Sequence, residues 1–114
     1  MKIKYAPSKE RIDQFLSRYA QEIEQSIPVR LMVAFGSYFN NRYGWGSDLD
    51  ILLVIDDSKM DKTTAYCLSS VNWTPVSLDI FVYSINEYKQ MRANNNPFLR
   101  ESLKDGKRMI DKLK

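Results

Sequence analysis

The chain contains no histidine, a single cysteine (Cys67), four glycines and four prolines among its 114 residues. Without histidine, a Ser-His-Asp hydrolase, a Cys-His protease and a histidine-ligated zinc centre are excluded. One cysteine makes neither an internal disulfide nor a zinc knuckle, and its use fits a reducing compartment. Any resident metal must therefore be held by oxygen. Long apolar runs are missing as well. No stretch approaches the roughly 20 residues that cross a bilayer, and the opening MKIKYAPSKE has no signal-like apolar core. The expectation is a cytoplasmic protein with no membrane partner. A strong charge excess is also lacking: 17 basic against 14 acidic side chains leave +3. That is too little to indicate nucleic acid, whose binders carry a clustered basic patch.

What is present is the composition of an ordinary folded domain, 44% apolar and 27% charged, without repeats or low-complexity segments. The length suits one domain, residues 1–114. Ile12, Phe15, Leu16, Tyr19 and Ile23 follow the three-four spacing of an amphipathic helix. Pro7-Ser8 offers it a cap and Pro28 ends it. Val29 to Phe35 reads as a strand. Leu49 to Ile55 reads as a stronger one, apolar at nearly every position, which suits burial on both faces. Lys59 to Val71 is predicted helical, Val76 to Tyr83 a third strand, and Ser84 to Arg92 a helix with Ser84 as cap. Asn94-Asn95-Asn96-Pro97 interrupts the chain before a short helix to Lys104, and Asp105-Gly106 turns into a last strand, Lys107 to Ile110. The fold class expected is α+β, a mixed β-sheet of about four strands flanked by helices.

The chemistry is concentrated in FGSYFNNRYGWGSDLDILLVID, Phe35 to Asp56. Alternate residues of a strand face the same way, so Asp48 and Asp50 share one side of the sheet. Two carboxylates that close repel, and no lysine or arginine stands beside them on the strand. A divalent cation resolves the conflict, and an all-oxygen site selects magnesium or manganese. Asp79, within VSLDIFVY, is the only charged residue of the third strand. It joins the same face if that strand neighbours Leu49–Ile55 in the right register; a slip of one residue would turn it away. Gly36-Ser37, where a strand opens into an expected short helix, offers backbone N–H groups and a hydroxyl to an anion, with no Cβ on Gly36 to block the approach. A phosphate cradle joined to three carboxylates points to a metal-bound nucleotide.

With Gly36-Ser37, ten residues and then Asp48-Leu49-Asp50, the chain resembles the polymerase-β-like nucleotidyltransferases. Its form and length look like the minimal nucleotidyltransferase (MNT) antitoxins that pair with HEPN toxins. The resemblance runs from the leading helix through the third aspartate to the tail NNNPFLRESLKDGKRMI. It implies the nucleotidyltransferase fold, ATP as substrate, and a two-metal magnesium site on Asp48, Asp50 and Asp79, with Gly36 and Ser37 on the nucleotide phosphates. It implies transfer of AMP to a tyrosine hydroxyl of a cognate HEPN toxin, which silences the toxin. Where many relatives follow Gly-Ser with a small residue and Arg-Gly, this chain has Phe39-Asn40-Asn41, and its nearest arginine, Arg42, stands two places late. Two other readings stay open beside this one. One is a protein that masks the toxin by complex formation alone; the other is a transferase subunit acting on RNA or a small molecule. The secondary structure uses the whole chain, so the acceptor is expected to come from another polypeptide, and self-association is a further expectation.

Other residues support blander roles. Tyr43 and Trp45 either stack on the base or pack the loop, as aromatics usually do. Arg42, Lys89, Arg92 and Arg100 either meet phosphate or a partner, or are solvated. Cys67 is expected to be a buried, inert thiol.

Overall fold

The apolar stripe that begins at Ile12 does form one face of a helix. The computed structural model describes residues 9–36, 48–70 and 77–113, and in it α1 spans Lys9–Ser26. Its buried residues are Ile12, Phe15, Leu16, Tyr19, Ala20 and Ile23, each large one contributing about 1.5–3 kcal/mol of apolar burial. The cap expected at Pro7-Ser8 lies outside the described residues. At the other end Ile27 donates its N–H to the Ile23 carbonyl at 2.9 Å, and Pro28 cannot extend the ladder.

The chain continues through β1 (Val29–Phe35), β2 (Asp48–Ile55), α2 (Lys62–Ser69), β3 (Ser77–Ser84), α3 (Ile85–Ala93), α4 (Pro97–Asp105) and β4 (Lys107–Asp111). The four strands form one sheet in the order β3-β2-β1-β4. β1 runs antiparallel to β2 and to β4, while β2 and β3 are parallel. A parallel pair needs a crossover rather than a hairpin, and α2 lies in that connection. This is the expected α+β architecture, a mixed four-stranded sheet flanked by helices.

The two faces of the sheet bury separate cores. Leu49, Ile51, Leu53 and Ile55 of β2 pack with Met32 and Ala34 of β1 against α1 and Ala65 of α2. Leu52 and Val54 pack with Leu31 and Val33 against Tyr88 of α3 and Leu99 of α4. β2 is thus buried on both faces, as its continuous apolar run predicts. Tyr19 is fully buried on the α1 side. Its hydroxyl donates to the Ser69 carbonyl at 2.7 Å, which ties α1 to the end of α2, and burial pushes its pKa well up.

Local chemistry sets the helix ends. The second helix starts three residues later than expected, because Asp56 first closes a turn. Its Oδ1 accepts from the Ser58 N–H at 3.1 Å and from Ser58 Oγ at 2.6 Å. Asp61 then caps α2, accepting from Thr64 Oγ1 at 2.5 Å and from the Thr64 N–H at 3.1 Å. These hydrogen bonds hold both carboxyls below the usual aspartate value. Ser84 and Glu87 form a reciprocal capping box on α3, with Lys62 Nζ 2.9 Å from Glu87 Oε1. The Ser84 N–H, then Lys62, hold the Glu87 carboxyl below its ordinary value.

Between α3 and α4 the backbone turns through Asn95 at φ 52°, a left-handed conformation that asparagine tolerates. Asn96 caps α4 through the Leu99 N–H at 3.2 Å, and Pro97 occupies its first turn. Gly106 lets the end of α4 close onto β1. A Cβ there would run into the Ser102 carbonyl oxygen and Val33 Cγ1.

Cys67 departs from expectation: its side chain is exposed. α2 buries only Ala65 and Ser69, spaced four apart, so Cys67 falls between them on the outer side with Tyr66 and Leu68, which are also exposed.

Candidate active site

Strand alternation carries the site. On β2 the even-numbered residues Leu52 and Val54 enter the core beneath α3 and α4, whereas Leu49, Ile51, Leu53 and Ile55 enter the opposite core. Asp50 belongs to the even set, at the end where that set emerges from the core; it is half-buried, between the fully buried Leu49 and Ile51. On β3 the corresponding set is Asp79, Phe81 and Tyr83. The parallel register pairs Asp50 with Asp79 and Leu52 with Phe81. Directly paired residues lie on one face, on strands about 4.8 Å apart, so the two carboxylates stand side by side. Asp79 is exposed and β3 is an outer strand of the sheet. Among the described residues the pair therefore faces an open approach rather than a closed cavity.

Asp48 is the first residue of β2, and its backbone pairs with Ser77. Its side chain lies outside the described residues, as do Ser37, the short helix expected after it, Arg42, Tyr43 and Trp45. Among the described residues no group of three ligating side chains converges. The described part of the site is the Asp50–Asp79 pair. A pair of neighbouring carboxylates with no histidine or thiol between them is a donor set for a hard cation such as magnesium, and it does not suit zinc or copper. By that criterion the residues fit the expected metal.

On the other side of Asp50 stands β1, whose Phe35 is its antiparallel partner. Gly36 follows at φ 112°. A residue bearing a Cβ is strained there, so glycine is what lets the chain leave β1 in this direction. Gly36, the glycine of the expected cradle, is thus one residue beyond the neighbour of Asp50. The strand order β3-β2-β1 places Asp79, Asp50 and Phe35, the residue before Gly36, in one row across the sheet.

Beneath that row lies an aromatic layer that motif reading did not single out. Phe98 of α4 packs against Phe35 at 5.6 Å and Phe81 at 5.1 Å between ring centroids. Phe35 and Phe81 are themselves 6.1 Å apart, and Tyr83 is 6.3 Å from Phe98. These rings bridge β1 and β3 over β2 and give the carboxylate row a rigid, apolar floor. The available signal was positional: Phe81 stands two residues after Asp79, and Phe35 directly precedes Gly36. Phe98 had no such signal, since only the tertiary fold brings α4 there. A cavity of about 180 Å³ opens beside Gly36, between Phe35, Phe98, Glu101, Ser102 and Asp105.

The profile of the nucleotidyltransferase domain family (NTP_transf_2) matches residues 16–113, well over half of the chain. Among solved structures, a Sulfolobus solfataricus protein described as a "putative nucleotidyltransferase" superposes with a TM-score of 0.54. It is 22% identical, and the match covers 71% of this chain and 74% of that one. Identity at that level speaks for the fold alone. No curated protein matches the chain. The family match spans α1 from Leu16 onward, both strands that carry the Asp50–Asp79 pair, and the segment that follows β1, and on that ground this chain belongs to the nucleotidyltransferase domain family.

Proposed function

We propose that the chain is a magnesium-dependent adenylyltransferase that moves AMP from ATP to a hydroxyl, first of all a tyrosine hydroxyl, on a cognate HEPN toxin, and so acts as the toxin's antitoxin. The observation that carries the transferase part is the register that sets Asp50 beside Asp79 at the open end of a sheet in a chain of this family. The open approach to Asp79 favours a macromolecular acceptor, because a hydroxyl on a protein surface reaches such a site without being engulfed. The sequence resemblance to MNT antitoxins supports the choice of a HEPN toxin.

In this reading Asp48, Asp50 and Asp79 would hold magnesium, and Gly36 and Ser37 would hold the nucleotide phosphates. Magnesium, when bound, supplies positive charge that offsets the charge developing on the phosphoryl oxygens. The chain's own groups align the reactants. The Gly36 turn fixes the leaving phosphates, and the Asp79 carboxylate accepts the proton of the attacking hydroxyl. A new bond forms from the acceptor oxygen to the α-phosphorus, the bond to the β-phosphate oxygen breaks, and pyrophosphate leaves. The aromatic floor beside the half-buried Asp50 limits water behind it, which strengthens its electrostatic grip.

The test is the intact mass of the protein encoded beside this one after incubation with it, ATP and magnesium. A gain of one or more AMP units, absent with the Asp48→Asn/Asp50→Asn double variant, is the expected result. A stable complex without any mass gain would replace the transferase by a masking protein. AMP found instead on RNA or on a small molecule would move the acceptor to that class.

A further inference from the structure

A second recess lies away from the carboxylates, at the elbow between α3 and α4. It has a volume of about 250 Å³. Its floor is apolar: Leu99 is 2% exposed, and Met91 and Leu103 are half-buried beside it. Its rim carries two exposed arginines, Arg92 and Arg100. The Arg92 guanidinium lies 5.9 Å from the Tyr88 ring centroid and donates from Nη1 to Tyr88 Oη at 3.5 Å. Packing on an aromatic ring therefore orients it, with no acid involved. Among the described residues neither arginine has a carboxylate partner, although the same structure pairs Arg18 with Glu22 and Arg108 with Asp111.

Charge is segregated across α4. Arg100 flanks this recess, whereas Glu101 and Asp105 line the separate cavity beside Gly36. A recess with two guanidiniums above a hydrocarbon floor is complementary to an oxyanion carried on an apolar body. A bidentate arginine–carboxylate contact supplies the polar half, and arginine beside a buried apolar floor is the usual make-up of an interface hot spot. α3 and α4 also cover the sheet face that bears Asp50 and Asp79. A protein seated on them is on the correct side to present a hydroxyl to the carboxylates.

We infer that the α3–α4 recess is the docking site for the protein that the active site modifies, and that it takes an acidic side chain or terminal carboxylate borne on an apolar segment of that protein. The inference rests on the reading given under Proposed function, and it concerns binding, which can be read without transfer. The experiment is calorimetric titration of this chain with the protein encoded beside it, for the wild type, Arg92→Glu/Arg100→Glu, and Arg100→Lys.

The double reversal is expected to weaken the complex by about tenfold or more. It should also flatten the salt dependence of the affinity, while Arg100→Lys retains part of it. Affinity for ATP with magnesium should not change, because the recess lies away from the carboxylates, and melting temperature should fall only by the small amount that the Arg92–Tyr88 contact supplies. An unchanged affinity for the partner, or no wild-type complex at all, overturns the inference. So does a parallel loss of ATP affinity, which would assign the recess to nucleotide phosphate. A wild-type chain that dimerises alone through the same arginines would assign it to a second copy. If the complex forms and depends on the arginines but gains no AMP, the transferase reading fails and the docking site stands.

Discussion

The two faces of β2 use the same strand for different ends. Toward α1, Leu49, Ile51, Leu53 and Ile55 are each fully buried, and the alternation is apolar from one end to the other. Toward α3 and α4, Val54 and Leu52 are equally buried, but the next residue of that set is Asp50. The first face holds the sheet together along its whole length. The second does so for half its length and then delivers a carboxylate to the open end. A site built this way needs no loop to aim its side chains, because Asp50 and Asp79 inherit their positions from the pleat and the ladder of two strands anchored in a dry core.

If that division of labour is real, the two faces should fail differently. The largest effect is expected at the open end. Asp50→Asn should cut AMP transfer by about a thousandfold, since several kcal/mol of charge stabilisation is lost at about 1.4 kcal/mol per decade of rate. The melting curve should hardly move, and single-turnover transfer together with calorimetry checks both halves. On the opposite face Leu53→Ala should do the reverse. It opens a cavity under α1 and should cost about 2–5 kcal/mol in urea unfolding, while transfer per folded molecule stays near the wild-type value. A Leu53→Ala protein that is stable but inactive would erase the distinction between the faces.

A smaller effect tests the α4 side. Gly106→Ala forces a methyl against the Ser102 carbonyl and Val33, which should cost about 1–3 kcal/mol of stability. Because Ser102, which that methyl meets, lines the cavity beside Gly36 together with Phe98, this variant should also lower transfer, unlike Leu53→Ala. The smallest effect is a pH dependence. Glu87 has a folded pKa lowered from 4.5 by the Ser84 N–H and Lys62. Its contribution is therefore complete above the unfolded value of 4.5 and disappears as pH falls through the lower folded value. Melting temperature measured from pH 7 to pH 3 should show a difference between wild type and Glu87→Gln that narrows toward the acid end.

Much of this molecule was legible before any coordinates. The stripe from Ile12 to Ile23 specified α1, because three-four spacing needs only local geometry to be read. Ser84 announced the start of α3 as its cap, since a cap is a local feature, and the structure adds the reciprocal bond of Glu87. The continuous apolar run of β2 announced a strand buried on both faces. The pair Gly36-Ser37 followed by Asp48-x-Asp50 marked the end of β2 at which the Asp50–Asp79 pair stands, because both pieces are short and their separation is fixed along the backbone. Elsewhere local reading failed for a local reason. Lys59 to Val71 looked like one helix, yet Asp56 and Asp61 each offer a carboxylate to nearby N–H groups, and that competition shifted the start to Lys62. The apolar neighbours of Cys67 suggest a buried thiol, but α2 uses only a narrow stripe, Ala65 and Ser69, to meet the sheet.

The sequence by itself determined which segments become helices and strands, which side chains alternate together on each strand, and that carboxylates and a glycine turn lie close in the chain around β2. Those are properties of spacing, and spacing is written in the order of the residues. Only the tertiary structure decided that β3 lies beside β2 in the register that pairs Asp79 with Asp50, that Phe98 arrives from α4 to floor the pair, and that Arg92 and Arg100 rim one recess. Each of those depends on contacts between residues distant in the chain, where a slip of one residue would reverse every side chain of a strand, and it is the packing of two cores against one sheet that excludes the slip.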